Sequence, residues 1–145
     1  MLTTVNAAER RRLAVDLRSV CMRISRRVRF SGGGVLPPHQ VSVLSKLDQQ
    51  VRTPRELAEI ECVSAPSMTR TVNALVEQGF VRRDADPDDG RQVRLQLTPE
   101  GRKKLTGIRR SRDEWVHARM RDISDEECEV LRQAADILER VVSER

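Results

Sequence analysis

The stretch TPRELAEIECVSAPSMTRTVNALVEQG, residues 53 to 79, decides the fold, because it holds two helix starts, a short connection and a helix stop. Thr53 is placed to cap, Pro54 presets the first helical position, and Glu56 completes a capping box. The apolar face of this first helix is Leu57, Ala58 and Ile60. Only Glu61, Cys62 and Val63 separate it from Ser64, a second N-cap residue. Two helices joined this tightly form a helix-turn-helix. On the second helix Met68, Val72, Leu75 and Val76 share one face, which leaves Pro66, Ser67, Arg70 and Asn73 on the other, and Gly79 supplies the stop. The apolar stripe anchors the helix and the polar stripe is available.

Downstream the period changes to two. Phe80 and Val81 open one short strand, and Val93, Leu95 and Leu97 alternate with polar residues in another, so a β-hairpin is predicted. Its tip is DADPDDGR, residues 84 to 91, with Pro87, Asp89 and Gly90 as turn formers. The spacing of Asp84, Asp86 and Asp88 matches the start of a calcium loop. The match then fails, because the sixth position is Asp89 where glycine is needed and the twelfth is Leu95 where a bidentate Glu should stand. No metal is expected there.

Helices flank this lobe on both sides. Leu13, Leu17, Val20, Ile24 and Val28 form one helical stripe that ends at Phe30 and SGGG, residues 31 to 34, read as a loop. A short helix is predicted from about Pro38 to Asp48, with Val41, Val43, Leu44 and Leu47 apolar. Thr98 and Pro99 open a long helix to about Arg119, and the capping box SDEE at 124 to 127 opens a last one. That last helix carries Val130, Leu131, Ala134, Leu138, Val141 and Val142. A chain of 145 residues suits one domain and leaves little to cover both terminal stripes. A homodimer is therefore expected, the alternative being that both stripes pack inside one protomer. The first helix is basic, with eight arginines in residues 9 to 29 against Glu9 and Asp16, while eight acids follow from Asp122 onward. Opposite charges on the two terminal segments would help them pair.

Hydrophobic residues make up 38% and charged residues 34%, a balance that favours a folded domain over disorder. No apolar run is long enough for a membrane span or an export signal, so a cytoplasmic protein is expected. Cys21, Cys62 and Cys128 are far apart and fit neither a disulfide framework nor a C-x-x-C pair. The net charge of +5 and a pI near 9.8 point to a polyanionic partner, although each basic run taken alone reads as a solvated helix face. Catalysis finds little support. His39 and His117 are the only histidines, and no metalloprotease, nucleophile-elbow or phosphate-loop pattern occurs.

Residues 53 to 101, through the helix-to-strand segment SAPSMTRTVNALVEQGFVRR and the wing DDGRQVRLQLTPEG, resemble the MarR family of bacterial transcription regulators. The resemblance implies a mainly α fold with a small β-hairpin (α+β): a winged helix-turn-helix lobe at about residues 35–100, and N- and C-terminal dimerisation helices at about 5–30 and 100–145. It implies a sequence-specific regulator of double-stranded DNA, a repressor on a palindromic operator, with no cofactor. Many members release DNA when a small, often aromatic or phenolic, effector binds between the dimer layer and the DNA-binding lobe; the sequence assigns no pocket. The helix from Ser64 to Gln78 would enter the major groove, with Ser64, Pro66, Ser67, Thr69, Arg70 and Asn73 as its DNA-facing residues. Geometry alone puts Ser67, Arg70 and Asn73 on one face, where their chemistry suits phosphate oxygens, guanine and adenine. For Arg70 the alternative is an ion pair with a wing aspartate. Arg91 would enter a neighbouring minor groove, with Asp89 orienting its guanidinium.

Some members of this family sense oxidants through a cysteine in the first helix, where Cys21 lies. Those sensors use tyrosines near the thiol and this chain has none, so Cys21 is expected to be a small buried hydrophobe. A winged helix that binds only protein is a third class, one indifferent to loss of Arg70, Asn73 and Arg91.

Overall fold

A computed structural model describes residues 5–31 and 36–143; the glycines at 32–34 lie outside the described residues. Six helices and one hairpin follow in order: α1 (Ala7–Arg29), α2 (Pro38–Gln49), α3 (Pro54–Ile60), α4 (Ala65–Glu77), β1 (Val81–Ala85), β2 (Val93–Leu97), α5 (Pro99–Arg119) and α6 (Asp125–Ser143). The fold is the mainly helical winged helix-turn-helix expected. The chain divides into two units, Met1–Arg112 and Asp113–Arg145.

In the first unit the core is one cluster. Val41, Val43, Leu44 and Leu47 of α2, Leu57 and Ala58 of α3, Met68, Val72 and Leu75 of α4, Val81, Leu95 and Leu97 of the hairpin, and Leu105 and Ile108 of α5 are all buried. The apolar face of α4 therefore seats the helix and turns its polar face outward. Ile60 departs from the expected α3 face: it is 40% exposed, because α3 ends with it and the chain turns at Glu61 and Cys62.

Local chemistry sets the helix ends. At the turn between α3 and α4, Cys62 takes φ +53° while the Val63 N–H donates to the Ala58 carbonyl at 3.0 Å. At the end of α4, Gly79 takes φ +77° and the Phe80 N–H donates to the Leu75 carbonyl at 2.9 Å. Both are left-handed helix stops of the same hydrogen-bonded kind. The hairpin is antiparallel in the register Val81↔Leu97 to Ala85↔Val93, so Phe80 precedes the strand rather than opening it. Leu95 also bridges back to Arg52 through two backbone hydrogen bonds of 2.8 and 3.4 Å, tying the wing to the segment before α3.

α1 begins at Ala7, ahead of its apolar stripe, because Asn6 and Glu9 form a reciprocal capping box with bonds of 3.0 and 2.9 Å. It buries no residue: Leu13 is 55% and Ile24 50% exposed. Cys21 is likewise exposed rather than buried, because among the described residues α1 has no buried position on any face.

The second unit holds the end of α5 and α6. The Arg119 guanidinium lies 3.5 Å from the centroid of the Trp115 ring. Ser124 and Glu127 cap α6 reciprocally. No residue of α6 is buried, and Val130 and Val142 are 64% and 79% exposed. Among the described residues no helix is long and apolar enough to cross a membrane.

Candidate nucleic-acid interface

The polar face of α4 starts at its cap. The Ser64 hydroxyl accepts the Ser67 N–H at 3.3 Å and donates to the Ser67 hydroxyl at 3.0 Å. That hydroxyl in turn accepts from Arg70 Nη2 at 3.2 Å, so cap, second serine and arginine form one chain along the face. Arg70 is exposed and makes no ion pair with a wing aspartate; Asp84 and Asp86 are instead paired with Arg82 and Arg94. Pro66 and Thr69 are exposed beside this chain. Thr69 spends its hydroxyl proton on the Ala65 carbonyl at 2.9 Å and can offer DNA only lone pairs through Oγ1.

Asn73 lies further along the same helix, exposed, with its Oδ1 accepting a hydrogen bond from Arg83 Nη2. Arg83 is a residue that reading the sequence for helix faces passes over. Its signal is the period of β1: Arg83 alternates with Arg82 and shares the strand face of buried Val81, the face that packs on α4.

On the wing, Asp89 and Arg91 are brought together, but through the backbone. Asp89 Oδ1 accepts the Arg91 N–H at 3.1 Å, and among the described residues no carboxylate holds the Arg91 guanidinium. The expected orientation of that side chain by Asp89 is thus corrected: at two residues' separation the carboxylate meets the nearer amide first, closing an Asx turn that leaves the arginine exposed.

The acid that shapes the wing is Asp86, only 8% exposed. Its Oδ1 accepts the N–H groups of Asp88 and Asp89 at 2.8 and 3.3 Å, and its Oδ2 accepts from Arg94 Nε at 2.6 Å. The Asp88 amide, and after it the Arg94 guanidinium, hold this carboxyl below the usual aspartate range. Asp86 therefore nucleates the turn, with its oxygens committed to the protein rather than to a cation. The arrangement presents two exposed arginines, Arg70 on α4 and Arg91 on the turn of the wing, a constellation suited to phosphate oxygens and base edges.

Several clefts open on the lobe. One of about 310 Å³ lies against α4, with Gln40, Glu61, Ser67 and Arg70 in its wall. Another of about 450 Å³ is lined by Arg29, His39, Ser45, Lys46 and Arg112, with Glu61 as its one acid.

The sequence pattern of the MarR family matches residues 36–93. An HTH-type transcriptional regulator of Mycobacterium bovis is 38% identical over 135 residues, covering 92% of this chain and 94% of that protein. A transcriptional regulator from Pseudomonas aeruginosa has a solved structure that superposes with a TM-score of 0.82 at 29% identity, covering 97% of this chain and 100% of that one. The wild-type MarR structure from E. coli superposes with a TM-score of 0.71 at 22% identity, over 87% of this chain and 95% of that one.

Proposed function

Because the chain belongs to the MarR family of DNA-binding transcription regulators, we propose that it acts in the cytoplasm as a homodimeric repressor, reading a palindromic operator with α4 and the wing and leaving it when an effector binds. The observation that carries the reading is the polar face of α4, where Ser67, itself bonded to Ser64, accepts from an exposed Arg70 that forms no ion pair among the described residues. Ser64, Pro66, Ser67, Thr69, Arg70 and Asn73 meet the major groove, and Arg91, on the turn closed by Asp89, meets the flanking minor groove.

Dimerisation is supported by the uncovered stripes of α1 and α6, since apolar faces of this length are not left to water in a stable monomer. The effector is a small aromatic or phenolic molecule. The cleft of Arg29, His39, Lys46 and Arg112 suits one that carries a negative charge, because three fixed cations face a single acid.

The test is a salt titration on a duplex whose half-sites lie about one helical turn apart, the spacing a two-fold dimer imposes. Arg70→Ala is expected to cost about 1–3 kcal/mol and relax one base pair per half-site if it reads a base, or to weaken all sequences alike if it holds phosphate. Arg91→Ala is expected to weaken operators with narrow, A·T-rich flanks most. Unchanged affinity and salt slope in both variants would overturn the proposal in favour of a protein-binding winged helix.

A further inference from the structure

A guanidinium has five N–H donors and no acceptor, so the Asn73 atom that meets Arg83 is the carbonyl oxygen whichever way an amide is drawn. The Asn73 group left facing outward is then the NH₂, a donor only. Asparagine recognises adenine by using both ends at once, accepting from the 6-amino group and donating to N7. Here the accepting end is engaged, and Arg83, which makes no ion pair among the described residues, keeps its other N–H groups beside it. A second lone pair remains on that oxygen, but an adenine amino group approaching it would face the guanidinium donors of Arg83. Guanine presents O6 and N7, two acceptors, to the same surface.

We infer that Asn73 and Arg83 form one donor-only reading unit, in which Arg83 is a further specificity-determining residue and the purine beneath Asn73 is guanine rather than adenine. The inference rests on the proposed reading of DNA by α4. The mount is built into the fold: β1 alternation sends Arg83 to the α4 side, and the register that pairs Arg83 with Leu95 anchors the strand there through the buried leucine.

The experiment is selection of bound duplexes from a randomised pool with the full-length protein and three variants, Asn73→Ala, Asn73→Asp and Arg83→Leu. The base pair whose preference disappears in Asn73→Ala is the one Asn73 reads. The wild type is expected to select guanine there, and Arg83→Leu, by freeing the oxygen, to shift the guanine-to-adenine ratio toward adenine by on the order of ten-fold. Asn73→Asp keeps a partner for Arg83 but removes both donors, and is expected to lose on the order of ten-fold in affinity for the selected site. A thermal melt confirms that each variant folds; Asn73 and Arg83 are both exposed. A wild type that selects adenine at that pair, an Arg83→Leu variant with an unchanged preference, or an Asn73→Asp variant that binds as well as the wild type overturns this inference alone. A wild type that selects no sequence overturns it together with the proposed function.

Discussion

Gly101→Ala is expected to destabilise the DNA-binding lobe by about 2–3 kcal/mol, although alanine is the better helix former. A Cβ on Gly101 would stand 2.0 Å from the Phe80 carbonyl oxygen and 2.9 Å from its carbon. An unstrained carbon-to-oxygen contact is roughly 3.3 Å, so backbone has to move by more than an ångström. That backbone is tied on every side. The Phe80 carbonyl accepts the Thr98 N–H at 3.0 Å, the Phe80 N–H donates to Leu75 at 2.9 Å, and the Thr98 hydroxyl donates to the Gly79 carbonyl at 2.6 Å while accepting the Gly101 N–H at 3.0 Å. Overpacking of this kind costs about 1–3 kcal/mol, and each hydrogen bond stretched out of range adds about 0.5–1.5 kcal/mol. The gain in helix propensity is at most about 1 kcal/mol, and less in a first turn. The clash wins. Gly107 is the control: it lies on the same helix, and an alanine methyl there would meet no atom within 4 Å. Gly107→Ala should therefore stabilise by about 0.5–1 kcal/mol. Urea unfolding followed by circular dichroism, at one fixed protein concentration, measures both variants. Equal stability of the two would refute the reasoning, because it would mean that the α5 start is free to move away from the end of α4. Because Gly79 and Phe80 terminate α4, Gly101→Ala should also weaken DNA binding more than Gly107→Ala does.

Three further outcomes follow from the same geometry. The Asp86 carboxyl is held below its ordinary value of 3.8 by the Asp88 amide and Arg94, so the fold favours its charged form. Its contribution is complete above that value and is lost as pH falls through the lower folded one; acid unfolding of Asp86→Asn should lack this part of the pH dependence, and parallel acid profiles for variant and wild type would refute it. Cys62 holds φ +53°, a conformation that costs a non-glycine residue about 1–2 kcal/mol, so Cys62→Gly should raise the unfolding midpoint and Cys62→Val should lower it. A midpoint that is the same in both would show the turn to be unstrained. Asp48 accepts from Arg102 and Arg109 at 2.8 Å each, joining α2 to α5. Since both arginines are at least half exposed, Asp48→Ala should cost only about 1 kcal/mol and less in high salt; a loss that is independent of salt would point to packing instead of charge.

What was legible in the sequence is what neighbouring residues decide among themselves. Thr53 with Glu56, Ser64 before Pro66, Gly79 and Ser124 with Glu127 each bond within one helical turn, and the structure places helix boundaries at all of them. The capping box of Asn6 and Glu9 is equally local, and it starts α1 at Ala7, about two turns ahead of the apolar stripe that opens at Leu13. Other features depend on residues that only the fold brings together. Arg52 bridges to Leu95 across forty-three positions with no periodic run to announce a strand. Four aspartates crowd the wing, and burial of Asp86 beside Arg94 is what separates the structural acid from Asp89. The candidate site divides in the same way. Helical spacing alone places Ser67, Arg70 and Asn73 on one face, but which atoms they offer depends on hydrogen bonds from Ser64 and from a strand ten residues further on. A donor and acceptor code is a property of free atoms rather than of residue names, so the specificity of α4 is set as much by Arg83, which supports it from β1, as by the side chains the helix itself displays.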